Sequence, residues 1–141
     1  SSAASDVYKR QVFGTWALSV AAMPALNESQ GSIVNVSSIA GLRPTGSSIP
    51  YAASKAALNH LTVLMAKVIG PNVRVNAVAP GLIDTEWTQD WDVIRGFVQQ
   101  VAPLKRSGQP DDVAALIYAL ATTPYITGQV VATDGGLTLA T

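Results

Sequence analysis

The stretch Tyr51-Ala-Ala-Ser-Lys55 constrains this chain more than any other, because it pairs a phenol with an ammonium at a fixed helical spacing. The run 51–69 carries alanines at 52, 53, 56, 57 and 66, follows Pro50 and stops at Gly70-Pro71, so it is expected to be a helix. Gly70 is expected to take the left-handed cap, with Pro71 preventing continuation. On a helix, residues four apart leave the same face, one turn from each other, which sets Lys55 beside Tyr51. An isolated phenol ionises only near pH ~10, and a fixed positive charge favours the phenolate, bringing it toward the range where it can give or take a proton. Ser38 stands thirteen residues before Tyr51, just past the apolar run 33–36, which reads as a strand; its hydroxyl could meet the same reacting oxygen. Singly these pieces are common: Tyr-x-x-x-Lys arises by chance on exposed helix faces, and a serine after a strand usually makes a turn.

The rest of the chain supplies a context. Residues 1–11, SSAASDVYKRQ, lack an initiator methionine and a clean period, and the end of this run resembles translated adaptor sequence. We set them aside as a non-native or disordered tail and take 12–141 as the folded domain. From 12 to 26, Val12, Phe13, Trp16, Val20 and Met23 recur at spacings of mostly three and four, the stripe of a helix whose apolar face packs on a sheet as core. A second β-branched strand is expected over 73–78, then a helical segment from 86 to 101 bearing Trp87, Trp91, Ile94, Val98 and Val101. A helix opens at Pro110-Asp111-Asp112 with Val113, Leu116, Ile117 and Leu120 inward, and a short strand spans 130–133. Strands alternating with helices indicate an α/β domain with a parallel sheet.

Composition narrows the function classes. At 141 residues, 48% hydrophobic and 13% charged, one globular domain is expected. Nine basic against nine acidic residues give no field to steer nucleic acid. With no cysteine and one histidine, His60, which reads as a surface or packing residue, neither disulfides nor the usual Cys/His metal sites can be built. The apolar runs are too short to span a membrane and no signal peptide opens the chain, so a soluble cytoplasmic protein is expected.

Taken in order, Asn35-Val-Ser-Ser38-Ile-Ala-Gly41, the Tyr51–Lys55 helix and Val73-Arg-Val-Asn-Ala-Val-Ala-Pro80-Gly81 resemble the short-chain dehydrogenase/reductase family over about residues 12–137. The resemblance implies a Rossmann-like doubly wound parallel sheet and the interconversion of an alcohol with a ketone or aldehyde by hydride transfer with NAD or NADP. It assigns catalysis to Ser38, Tyr51 and Lys55: Tyr51 moves the proton, Ser38 orients and stabilises the oxygen, and Lys55 holds the nicotinamide ribose while tuning Tyr51. It gives cofactor contacts to Tyr51, Lys55, Pro80, Gly81, the backbone of Ile83 and the hydroxyl of Thr85, although Thr85 also reads as an ordinary helix N-cap. The family's asparagine, three residues before Gly14, is Gln11 here. Thr127-Gly128-Gln129 and Asp134-Gly135-Gly136 resemble the family's C-terminal sheet edge and oligomer surface, implying a homodimer or homotetramer of the whole protein. Trp87 and Trp91 read either as a lid over a partly apolar small-molecule substrate or as packing anchors.

One part of the family pattern is not here. The glycines at 14, 31, 41, 46, 70, 81, 96, 108, 128, 135 and 136 contain no set spaced i, i+4, i+6, so no Gly-rich turn brings a helix N-terminus to a pyrophosphate. The chain therefore reads as the C-terminal part of such a domain, about three strands with flanking helices, its N-terminal half missing. An open sheet edge and uncovered apolar helix faces should result. The rival reading is a non-catalytic relative that binds a partner, or an inert truncated fragment.

Overall fold

The computed structural model describes residues 2–140. Three strands, Ser32–Val36 (β1), Arg74–Pro80 (β2) and Val130–Thr133 (β3), form a parallel sheet in the order β1-β2-β3. Each return to the sheet runs through helix, as parallel pairing requires. Ile49–Ile69 (α3) lies between β1 and β2; Asp92–Val101 (α4) and Pro110–Thr122 (α5) lie between β2 and β3.

Alternation along the strands places α3 and α5 on opposite faces. Ile33 and Val75 are register partners and pack with Met65, Ala66, Leu61 and Ile69 of α3, while the buried Asn35 amide donates to Thr62 Oγ1 at 2.9 Å. The neighbours in the pleat point the other way. Ser32 Oγ reaches Ala121 O at 3.1 Å, and Arg74 gives Nη2 to Ala121 O at 2.6 Å and Nη1 to Leu120 O at 2.9 Å, capping the last turn of α5 with a cation. The central strand is thus covered on both sides, and Val75, Ala77, Val78 and Ala79 are fully buried, which is why β2 reads as a near-continuous apolar run. β1 and β3 are the edges, and Val36 at the end of β1 is half exposed.

Several expectations need correction. Residues 2–11 are helical: Ser2–Tyr8 (α1) continues through a π-helical turn at Lys9–Gly14 into Thr15–Ser29 (α2), and α1 packs on α3. No proline interrupts the run before Pro24, so nothing in it stops a helix. The stripe assigned to the core is largely on the surface. Phe13 is 63% exposed, Trp16 48% and Val20 50%, and Ser19 is the buried residue of α2, because among the described residues nothing lies over that face. Gly70 is extended (φ −63°, ψ 153°), not left-handed; α3 ends because Pro71 brings no N–H, and the left-handed cap occurs at Gln30 (φ 50°), closing α2. The helix expected over 86–101 is split into a 3₁₀ turn, Glu86–Thr88, and α4. Thr85 and Thr88 cap each other and Trp91 leaves the helical region (φ −95°, ψ 40°). No helix among the described residues is long and apolar enough to cross a membrane.

Candidate active site

The site lies where the parallel strands end. Two residues past β1, Ser38 takes an extended backbone and its Oγ accepts from Ala40 N at 3.1 Å, capping the 3₁₀ turn Ile39–Gly41. Ser48 then caps α3 by accepting from Tyr51 N at 3.3 Å, with Pro50 in the first turn, so Tyr51 begins the helix and Lys55 follows one turn on. Between the two caps Gly46 has φ +123°, and a side chain there would approach Ala40 Cβ to 2.9 Å; glycine is required on both counts.

Lys55 is almost fully buried, and burial lowers its ammonium below the usual lysine range. Its Nζ donates to Val36 O at 3.0 Å and to Gln11 Oε1 at 2.8 Å, and stands 5.7 Å from the centre of the Tyr51 ring. Two of its three N–H groups are thereby used on neutral acceptors, leaving one to donate toward the cavity. The ring distance is within cation–π range.

On the facing side, Pro80 and Gly81 end β2, and the turn after them is stitched to a distant segment. Gly108 N donates to Leu82 O and Asp84 N to Gly108 O, both at 2.9 Å, making an isolated parallel bridge between Ile83 and Gly108. Thr85 caps the 3₁₀ turn, the alternative the sequence left open, while also facing the cavity.

These pieces enclose a cavity of about 540 Å³. Ser38, Tyr51, Lys55, Pro80, Gly81, Ile83 and Thr85, the residues to which the family resemblance gives catalytic or cofactor roles, line it together. Trp87 and Trp91, with ring centres 5.1 Å apart, line it with Ile94, Val98 and Leu137. Phe97 and Leu137 were not anticipated as wall residues. Phe97 was legible as the middle member of an Ile94-Phe97-Val98 stripe; Leu137 follows a double-glycine turn and carried no signal. Lys55 and Tyr51 are the titratable groups of the lining, an arrangement that can support proton transfer by a phenol beside an ammonium, with the Ser38 hydroxyl on the same cavity.

A family model described as enoyl-(acyl carrier protein) reductase matches residues 2–138. A protein of Streptomyces violaceoruber named for ketoacyl reduction in the granaticin polyketide synthase is 55% identical over 135 residues, covering 93% of this chain and 54% of its own. The short-chain dehydrogenase/reductase homolog YusR of Bacillus subtilis is 41% identical over 120 residues, 84% of this chain and 93% of YusR. The chain thus spans about half the length of the Streptomyces relative but nearly all of YusR. Among solved structures, the 3-oxoacyl-[acyl-carrier protein] reductase of Brucella melitensis superposes with a TM-score of 0.85 at 34% identity, over 93% of this chain and 53% of that one. A 4-hydroxyisoleucine dehydrogenase complexed with NADH (TM-score 0.82, 32% identity, 93% and 57% covered) and ElxO with NADP bound (0.82, 33%, 92% and 55%) superpose as well.

Proposed function

The chain belongs to the short-chain dehydrogenase/reductase family, and on that premise we propose that it carries the catalytic half of an NAD(P)-dependent oxidoreductase interconverting a ketone or aldehyde with its alcohol. The observation behind this reading is a cavity at the carboxyl edge of the sheet that gathers Ser38, Tyr51, Lys55 and residues of the 80–85 turn, the edge where open α/β sheets take their ligands.

The residues present fit the nicotinamide end of such a cofactor. A buried ammonium with one free donor suits ribose hydroxyls, and the Pro80–Thr85 turn offers backbone groups and a hydroxyl. When bound, the nicotinamide supplies the hydride in reduction and accepts it in oxidation. In reduction, the Tyr51 hydroxyl gives its proton to the carbonyl oxygen as the carbon gains hydride, and the phenolate is later reprotonated from solvent. Ser38 Oγ donates to the same oxygen as negative charge builds there, and the Lys55 ammonium favours the charge left on Tyr51. Two hydroxyls on one wall support reduction of a carbonyl over that of a carbon–carbon double bond, whose proton goes to carbon. The pyrophosphate and adenosine find no matching turn in this sequence, so the chain is read as acting with a Gly-rich half, and alone as inactive.

The assay joins residues 12–141 to the N-terminal half of the Streptomyces relative and follows NADH and NADPH oxidation with ketones and with matched α,β-unsaturated thioesters. Ketone-dependent oxidation is expected; turnover of the unsaturated thioesters alone would replace this reading with enoyl reduction. The whole protein is further proposed to be a homodimer or homotetramer, supported by the exposed Val63, Leu64 and Val68 beside the small residues of α3. The hybrid eluting as a monomer at micromolar concentration would count against it.

A further inference from the structure

Asp84 sits between two residues that line the cavity, Ile83 and Thr85, yet does not line it itself. Its carboxylate instead gathers donors from two separate parts of the chain. Oδ1 accepts from Arg95 Nε of α4 at 2.9 Å, and Oδ2 accepts from Ser107 Oγ at 2.7 Å and Gln109 Nε2 at 2.8 Å. Arg95 extends the tie, giving Nη2 to Thr88 O at 3.1 Å and Nη1 to Asp92 at 2.7 Å. The residues flanking Arg95 on α4, Ile94 and Phe97 with Val98, form the apolar wall of the cavity. Gly108 stands close to the turn, and a Cβ there would lie 2.6 Å from Ile83 Cδ1 and displace the end of that cavity-lining side chain.

We propose that Asp84 is a positioning residue that joins the 83–85 turn to α4, so that the nicotinamide-facing turn and the apolar substrate wall hold or yield together. This rests on the reductase reading for what the two surfaces bind, but the joint itself is a property of the chain. One carboxylate holds both, so removing its charge frees two segments joined through residues 11 apart, whereas a purely local support would free one. The Ser107 hydroxyl, then Arg95, hold the Asp84 carboxyl below the ordinary range, so the joint is ionised at neutral pH.

The test is amide hydrogen exchange on the 141-residue chain, with Asp84→Asn, Arg95→Gln and Ser107→Ala each compared with the parent. Loss of one charged hydrogen-bond set is expected to raise exchange roughly tenfold in 83–88 and 92–101 together, leaving β2 and α3 unchanged. In a Trp16→Phe background, emission from Trp87 and Trp91 should shift to the red in Asp84→Asn and Arg95→Gln. Should Asp84→Asn not fold, Arg95→Gln alone carries the test, because it cuts the α4 arm, with the Arg95 bonds to Thr88 and Asp92, and leaves Ser107 and Gln109 on the Asp84 carboxylate. Exchange rising only near 105–109, rising evenly over the whole chain, or not rising overturns the proposal. None of these outcomes depends on turnover, so they leave the reductase reading untouched. In the active hybrid, Asp84→Asn should raise KM for the ketone more than it lowers kcat.

Discussion

Replacing Gly41 by alanine should damage both the fold and the site, while the same change at Gly96 should help. Gly41 is the last residue of the 3₁₀ turn that follows Ser38, and that turn lies directly on α3. A Cβ at Gly41 would stand 2.6 Å from Lys55 C, 2.8 Å from Ala56 N and 2.7 Å from Asn59 Nδ2. Two of those atoms are helix backbone and cannot rotate away, so the turn must retreat by about half an ångström or more to reach ordinary contact. Overpacking of this kind costs about 1–3 kcal/mol, which for a chain this size lowers Tm by roughly 3–10 °C. The turn carries Ser38 at its start, and Lys55 is the residue it presses on, so the Ser38 hydroxyl shifts relative to the Lys55 ammonium and to the Tyr51 hydroxyl one helical turn before it. Misplacement of a catalytic group by up to an ångström costs turnover by as much as about a hundredfold. Gly96 is on the exposed face of α4 with nothing within 4 Å of its would-be Cβ, so alanine there should stabilise by up to about 1 kcal/mol through helix propensity. Thermal melts followed by circular dichroism, with NADPH oxidation by the hybrid, read both. Gly41→Ala melting within a degree of the parent with full activity would refute the close-packing argument.

Other expectations follow from single groups. Asn59 is 8% exposed, and neither its Oδ1 nor its Nδ2 has a hydrogen-bond partner among the described residues, so Asn59→Leu should raise stability by about 1 kcal/mol in a denaturant titration. A loss of that size would mean that a water or an added segment satisfies the amide. Asp112 is held down to about 2, first by Arg106 and then by the Gln109 N–H, and Asp84 is lowered by Ser107 and Arg95. Carboxyls depressed in the folded state favour folding above their unfolded value and lose that contribution as they protonate, so Tm should be flat from pH 7 to 5 and fall between about pH 4 and 2. Arg106→Met should flatten that fall. Lys55 adds a rise of the same sign at the alkaline end, because burial favours its neutral form: its drag on folding should ease as pH rises toward the ordinary lysine range.

That the candidate site residues would gather around one cavity was legible, and the reason is covalent. Tyr51 and Lys55 are fixed to one face by a helix that Ser48 and Pro50 start, and Ser38 and Pro80–Thr85 follow strands whose β-branched runs announce their ends. Helical period failed on α2: spacing told which face is apolar but not what covers it, and Phe13, Trp16 and Val20 face outward. The break between Trp87 and α4 was hidden because Thr85 and Thr88 act through tertiary hydrogen bonds, Thr88 Oγ1 donating to Ile83 O at 2.7 Å. Asp84 gave no sequence sign at all, since its donors lie 11 to 25 residues away. Gln11, noted only as a departure from the family pattern, is one of the two acceptors that hold the Lys55 ammonium.

The most direct test of the catalytic reading is Tyr51→Phe in the hybrid, with ketone turnover and NADPH binding measured on the same preparation. The substitution removes one oxygen from a helix that Ser48, Pro50 and the Lys55 bond to Val36 O still hold, so the fold and the cofactor contacts should survive. Loss of the proton donor is expected to lower kcat by about 10²-fold or more, with NADPH affinity within a few-fold of the parent. Ketone reduction continuing at the parental rate would show that the proton comes from elsewhere.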